Sequence, residues 1–400
     1  MPRKLYRFRI VLSFLILTLV GFAAVKFVSY ARRQKAAAPS AAAITINSHT
    51  ITDQAPGGNN DGNADPNETL TERVTFTNSG DAPANNVQLA TTLNSVLAAT
   101  GGTGNVSIGP IAVADTLNNI IPNVKLVIPT GANSLLNNDL NPSGAGALAV
   151  SGFGDTLANA NANAAGTTFT SAALGSLKVN SDGSFDYNPP VGNNAQKQFF
   201  YTVTNGTLTS VGTVTLNFQT AKIWFINTNA GACAANCDGR LTNPFTSPSN
   251  YAAAQVGANP SASGDIIFLY ESPTAYSGVN PVIQLKASQK LVGQDATASL
   301  ISISGLTQPP GTDQLPAVNS ANGTVVSVNG SVNFGVALST NNTVRGLTFS
   351  GAASTMLRGT SFGTLVLGNN ASPDVTFNGA GTAIDLTTGS FDAKVSTTAI

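Results

Sequence analysis

The sequence predicts an all-β protein on three observations. Short runs rich in Val, Ile, Thr, Phe and Tyr recur from residue 44 to the end, each bounded by Asn, Gly, Asp or Pro, which is how strands and their turns read. In residues 174–218, two runs flank the turn dipeptide Asp182-Gly183, and alternating runs follow at 199–204 and 211–218, the rhythm of a β-sandwich. From Lys222 onward the runs become continuously apolar, as in strands buried on both faces of a parallel sheet. Only 10% of the 400 residues are charged and 39 are glycine, so neutral Asn, Thr and Ser solvate the surface. Recurrent β-branched residues argue for order rather than disorder, and the length suits two or three domains.

Taken in order, Arg3, Lys4, Arg7 and Arg9 precede an apolar run over residues 10–25 that is broken only by Ser13, Thr18 and Gly21. Basic residues before such a run read as an export signal, with a helix that stays outside the remaining fold. Gly21 and Ala23 offer a small-x-small cleavage site, while Lys26, Arg32, Arg33 and Lys35 follow closely. A cleaved signal peptide and an uncleaved signal anchor both stand, the run being short against the ~20 residues that span a bilayer. Residues 35–43 are an Ala/Pro/Ser linker. The protein is therefore expected to be exported, at the cell surface or extracellular, and to meet a membrane only through residues 1–43.

The formal charge of zero is unevenly spread. Eight of the 19 basic residues lie in the first 35 positions, leaving 11 bases against 19 acids beyond them, a balance of −8. That excess of acid offers no basic footprint, so nucleic-acid binding is not expected.

Residues 44–106 form the next unit, with strand patterns at 44–51, 70–78 and 87–93. The phrase DGNADPNETLTERVTFTNSG resembles the conserved immunoglobulin-like repeat that bacterial surface proteins place before cadherin-like units. Within it Asp61, Asn63, Asp65 and Glu72 fall at positions one, three, five and twelve of a calcium loop. Position six is Pro66 rather than glycine and Glu72 sits in a strand pattern, so an Asx-rich turn is the better reading and calcium, the one cofactor the spacing offers, the alternative. His49, the only histidine, is expected on the surface.

In residues 107–220 the order NSLLNNDLNP, DGSFDYNPP, FFYTVTNG, VGTVTLNF resembles the cadherin-like immunoglobulin-type repeats of large bacterial surface proteins. The resemblance implies a β-sandwich spacer. Two positions depart from it: the acidic residue that commonly ends the aromatic strand is Asn205, and the position two after Asp139 is Asn141. Both changes remove charge that would hold calcium.

Residues 221–400 read as a solenoid. Strands are expected at KIWFIN, GDIIFLYE and QKLVGQ, then at TVVSV, VNFGVAL, NNTVRGLTFSG, GTLVLGNN, DVTFNG and TAIDLTTG. Val344, Leu365 and Ile384 suggest a period near 20, one coil stacking on the last. NNTVRGLTFSG is similar to the rungs of right-handed parallel β-helices of the pectin-lyase-like class, and the segment IWFINTN through QKLVGQ resembles their opening in large bacterial surface proteins. Asn341 and Asn342 would then stack in an asparagine ladder or sit in a plain turn. The final FDAKVSTTAI lacks a polar cap, which suggests a chain that continues or ends unusually.

Cys233 and Cys237 are the only cysteines. They are too few for a four-ligand zinc site; a surface disulfide, a redox pair and free thiols remain as readings, the disulfide fitting export. No catalytic residues are assigned. The acids of residues 222–400 are isolated in sequence, and only Asp374 and Asp392, one coil apart, offer a pair that hydrolysis of a polysaccharide requires. The leading expectation is a non-catalytic adhesin-like surface protein whose β-sandwich spacers present a β-helix to a polysaccharide or protein. A β-helix lyase or hydrolase and a structural stalk or surface layer are the alternatives.

Overall fold

The computed structural model describes residues 10–12, 26–30, 44–52, 71–78, 88–92, 109–141, 146–229, 231, 233, 236–319, 327–329, 334–350, 355–368 and 373–392. The fold is all-β and falls into two compact units. The first comprises residues 1–114, 138–147 and 204–212, the second residues 115–137, 148–203 and 213–400.

In the first unit, β1 (Ile10–Leu12) pairs antiparallel with β2 (Lys26–Tyr30). Strand β3 (Ile44–Thr52) pairs antiparallel with β4 (Thr71–Asn78), a bulge between Ile46 and Ser48 shifting the register. Strand β5 (Gln88–Thr92) adds to β2. The described part of the N-terminal stretch is thus strand where a helix lying outside the fold was expected. Ile10, Val11, Phe27 and Val28 are β-favouring, and pairing with β5 supplies the hydrogen bonds that a helix would have made internally. Among the described residues no helix is long and apolar enough to cross a membrane.

The second unit opens with two sheets. One has the order β10 (Thr168–Ser171), β11 (Gly175–Val179), β12 (Phe185–Asn188), β7 (Leu126–Ile128). The other runs β6 (Asp115–Ile120), β14 (Thr209–Phe218), β13 (Lys197–Thr204), β8 (Ala149–Gly154), β9 (Asn163–Ala164), of which residue 204 of β13 and residues 209–212 of β14 count with the first unit. The alternation expected of residues 199–218 places Phe199, Tyr201, Val203, Val214 and Leu216 at 0% exposure. Phe185 of the first sheet meets Phe199 of the second edge to face, ring centroids 5.5 Å apart. Strands β11 and β12 form the expected hairpin, with Gly183 at φ +80°. Its Asp182 Oδ1 accepts both the Ser184 amide at 3.0 Å and the Ser184 hydroxyl at 2.6 Å, an Asx turn that fixes the bend.

Next come β15 (Ile223–Ile226), α1 (Pro248–Ala254), β16 (Ile266–Leu269), β17 (Ile283–Gln284), β18 (Lys290–Gly293), α2 (Leu300–Ser304), β19 (Ser327–Asn329), β20 (Phe334–Ala337), β21 (Thr343–Arg345), β22 (Leu347–Ser350), β23 (Thr355–Leu367), β24 (Val375–Asn378) and β25 (Ile384–Phe391). All strand pairs here are parallel. One ladder runs β15, β16, β18, β21 and the end of β23. A second runs β17, β20, the start of β23, and β25. A third runs β19, β22, β24. Strand β23 belongs to two ladders because it turns between them at Ser361 and Gly363, both at positive φ. The result is a curled parallel sheet.

Continuous apolar runs are explained by burial on both faces of the first ladder. Trp224, Ile226, Ile267, Leu269, Leu291 and Val344 join the core enclosed by the curl. Ile223, Phe225, Ile266, Phe268 and Val292 face a second core shared with Ile121, Val124 and Leu300. The expected column of Val344, Leu365 and Ile384 is corrected: Val344 sits beside Leu367, Leu365 beside Phe391 and Leu357 beside Ile384. Val344, Leu365 and Ile384 therefore form no single column, because the corners between strands differ in length. The helices α1 and α2 were not expected either. Each carries a legible start, Ser247 and Ser299 capping through their hydroxyls, and α2 ends at Gly305 in the left-handed region, as capping rules require.

Candidate functional site

The residue immediately before each of the first four strands of the first ladder, β15, β16, β18 and β21, is polar and buried. Lys222, Asp265, Gln289 and Asn342 are 5%, 1%, 0% and 1% exposed, and the parallel register stacks them in one column. Each of the last three accepts the backbone amide three residues earlier: Ala262 to Asp265 Oδ2 at 2.7 Å, Lys286 to Gln289 Oε1 at 2.8 Å, Ser339 to Asn342 Oδ1 at 2.8 Å. The side-chain amides then reach the preceding coil. Gln289 Nε2 donates to the Ala262 carbonyl and Asn342 Nδ2 to the Lys286 and Gln289 carbonyls. Asp265 also accepts the Lys222 amide and the Trp224 indole, and its carboxylate lies 3.4 Å from Lys222 Nζ. Asparagine 342 therefore does stand in a ladder, but a mixed one. Asn341 turns the chain at φ +59° and accepts the Thr364 amide. Lys222, Asp265 and Gln289 were missed although each directly precedes a strand, and Lys222 and Asp265 an unbroken apolar run.

The third ladder has an apolar inner and a polar outer side. Leu347, Phe349, Val375 and Phe377 point inward, and Phe349 stacks on Phe377 with centroids 4.9 Å apart. Thr348 and Ser350 are half-buried, and Thr376 and Asn378 exposed, on the opposite side. Register aligns Ser327, Thr348 and Thr376 in one file and Asn329, Ser350 and Asn378 in the next. The side chains of Thr348, Ser350, Thr376 and Asn378 are short, neutral and able both to donate and to accept. Phe334, half-buried, is covered by the Arg358 guanidinium 4.4 Å above its ring.

Asp374, half of the acid pair named from the sequence, is held by an arginine and a threonine. Its side chain is 0% exposed and receives Arg345 Nε at 2.8 Å, Arg345 Nη2 at 2.8 Å, and the amide and hydroxyl of Thr297. That carboxylate is a structural counter-ion at the corner before β24. Asp392 lies just past β25, its amide bonded to the Leu365 carbonyl. Asp385 stands 3.7 Å from Arg358, both largely exposed.

Of the calcium-loop residues, Glu72 lies in β4 opposite Ile51, while Asp61, Asn63 and Asp65 lie outside the described residues. Among the described residues no three His, Cys, Asp or Glu side chains gather as a metal set. The positions that depart from the cadherin-like pattern do come together within the first unit. Asn205 Nδ2 donates to Asn141 Oδ1 at 3.4 Å, Asn205 Oδ1 accepts the Thr207 and Leu208 amides, and Asp139 Oδ1 accepts the Val113 amide at 2.7 Å. Neutral amides thus close this turn by bonding to each other. Cys233 and Cys237 form a disulfide with Cα atoms 5.8 Å apart. His49 lies in β3 opposite Val74.

Burial raises the hydroxyl pKa of Tyr187, Tyr251, Tyr270 and Tyr276 well above the ordinary range, so none of these serves as a base near neutrality. Desolvation lowers that of Lys290, whose ammonium caps α2 by donating to the Ile303 and Ser304 carbonyls. Comparison of the chain with protein-family models, curated proteins and solved structures finds no match in any of the three.

Proposed function

We propose that the protein is an exported, non-catalytic, adhesin-like surface protein in which β-sandwich units of immunoglobulin-like and cadherin-like type carry a right-handed β-helix, and that the side of this helix binds a polysaccharide or a protein partner. The basic and apolar N-terminal order and the Cys233–Cys237 disulfide support export. A strand shared between two parallel ladders supports the coil.

The observation that carries the binding reading is the file of Thr348, Ser350, Thr376 and Asn378 on the outer face of the third ladder. Rungs recur at about 4.8 Å and same-face residues along a strand at about 6.6 Å, so hydroxyls and amides repeat in two directions. A neutral hydrogen bond contributes about 0.5–1.5 kcal/mol net. Useful affinity therefore needs several in parallel, which a repeating glycan supplies. Asp374, locked under Arg345, does not favour the cleavage alternative.

Retention of the full chain on immobilised neutral polysaccharides (cellulose, xylan, chitin) tests the reading. Thr348→Glu with Thr376→Glu places two charges on the face while leaving the inward side chains untouched. We expect retention by the native chain on at least one of these and a loss of about tenfold or more, roughly 1.4 kcal/mol, in the variant. Equal retention by a variant with an unchanged melting temperature contradicts the assignment of this face.

A further inference from the structure

We infer that residues 305–319 are a strap that, within the second unit, locks the sheet portions in residues 115–137, 148–203 and 213–218 onto the outer face of the curled parallel sheet, making one stiff body where a flexible linker would have allowed a hinge. The inference is independent of what the protein binds.

The chain passes from β14 to β15 through only Gln219, Thr220, Ala221 and Lys222, and this short crossing is bridged on several sides. Gln219 holds the strap at both polarities: its Nε2 donates to the Thr307 carbonyl at 2.8 Å and its Oε1 accepts the Thr307 amide at 2.9 Å. Further along, the strap pairs with β7 like an added edge strand. Val127 donates to the Gly311 carbonyl at 2.6 Å, Asp313 donates to the Lys125 carbonyl at 2.9 Å, and Leu126 faces Thr312 in an antiparallel bridge. Gly311 is required there. Its φ is +81°, and a Cβ would come within 2.4 Å of Ile128 Cδ1 and 2.8 Å of the Val127 carbonyl oxygen.

Beneath the strap the apolar contact is continuous. Ile121 and Val124 share a core with Phe225, Phe268 and Val292, and Leu306, Leu315 and Val318 of the strap pack against it. Asn123, 0% exposed, ties three segments at once: Nδ2 donates to the Ile223 carbonyl, Oδ1 accepts the Gly192 amide, and its backbone carbonyl accepts the Leu241 amide. On another side Arg240 reaches the Pro189 carbonyl and Asn188 the Thr242 hydroxyl, each at 3.1 Å. A hinge opening at residues 219–222 would expose this core and break these bonds together. Such bistable, fully packed contacts resist small angular motion.

Pulsed dipolar spectroscopy on the full chain tests the lock. Leu157 and Val256 are 64% and 90% exposed, one on each side of the crossing, and the two native cysteines are bonded to each other. Spin labels at Leu157→Cys and Val256→Cys should give one narrow distance distribution, and adding Gly311→Val with Gln219→Ala should abolish that single narrow peak. A broad distribution in the otherwise native chain, or an unchanged narrow one after the strap substitutions, overturns the proposal. Hydrogen exchange on the unsubstituted chain decides the matter even if the strap variant does not fold. The Val127 and Asp313 amides should exchange only through the opening that releases Phe225 and Phe268, and their exchange through a separate, lower opening contradicts the lock.

Discussion

Replacing Asp265 by Asn is the sharpest test of the buried polar column. The carboxylate is 1% exposed and accepts three neutral donors, the Lys222 and Ala262 amides and the Trp224 indole, while Lys222 Nζ lies 3.4 Å away with its side chain 6% exposed. An amide keeps the shape but sets an NH2 group against at least one of those donors. It also leaves the Lys222 ammonium buried without a counter-charge. Breaking a buried pair from one side costs about 3–5 kcal/mol, and a stranded donor about 1–3 kcal/mol; because the two effects overlap, we expect a loss of about 4 kcal/mol. Lys222→Met removes the other partner but leaves Asp265 three hydrogen-bond donors, so it should cost less. Trp224, the only tryptophan, donates to this carboxylate, so its fluorescence in urea titrations reads the column directly. An Asp265→Asn midpoint within error of the native one, or a Lys222→Met variant less stable than Asp265→Asn, refutes the reasoning.

Two further outcomes follow from the hairpin. Gly183→Val forces a β-branched residue to φ +80° and brings its Cβ within 2.8 Å of Leu136 Cγ and 2.9 Å of the Leu136 amide nitrogen; a left-handed penalty of about 1–2 kcal/mol plus overpacking of about 1–3 kcal/mol should lower the denaturation midpoint by an amount equivalent to about 2–5 kcal/mol. The hydroxyl and amide of Ser184 hold the Asp182 carboxyl below the usual carboxylate range. A depressed carboxylate contributes stability above its unfolded pKa of about 3.9 and loses it as pH falls through the folded value. Asp182→Asn should therefore melt below the native chain at pH 7 and converge with it under strongly acid conditions, and a gap that persists undiminished at low pH speaks against this role.

What the sequence made legible was local. IWFI and IIFL read as strands covered on both faces because every residue in them is apolar, and all eight are buried. The Asp182-Gly183 turn was legible because few dipeptides tolerate its geometry. Pairing between distant segments was not. Strand β6 lies parallel to β14, and nothing in Asp115–Ile120 announces that partner. The column of Val344, Leu365 and Ile384 was misread because Val344 registers with Leu367, two residues past Leu365, and Ile384 with Leu357 in another ladder, offsets that sequence spacing does not carry. The column of Lys222, Asp265, Gln289 and Asn342 was visible in principle as a polar residue before each of four strands. It was overlooked because three different residue types, Asp, Gln and Asn, accept the backbone amide three residues earlier while Lys222 serves as a counter-ion, and a search for repeated asparagine finds only Asn342. Asp374 looked like half of a catalytic pair because sequence spacing carries no information about the Arg345 that covers it.

One measurement bears most directly on the claim that the parallel sheet binds and does not cut. The full chain is incubated with neutral and acidic polysaccharides, and retention is followed alongside the appearance of new reducing ends or unsaturated products. The account predicts retention that depends on Thr348 and Thr376, with no new chain ends over many hours. Accumulation of cleaved product that disappears in a folded Asp374→Asn variant would contradict it, because that carboxylate would then be acting on substrate rather than holding Arg345.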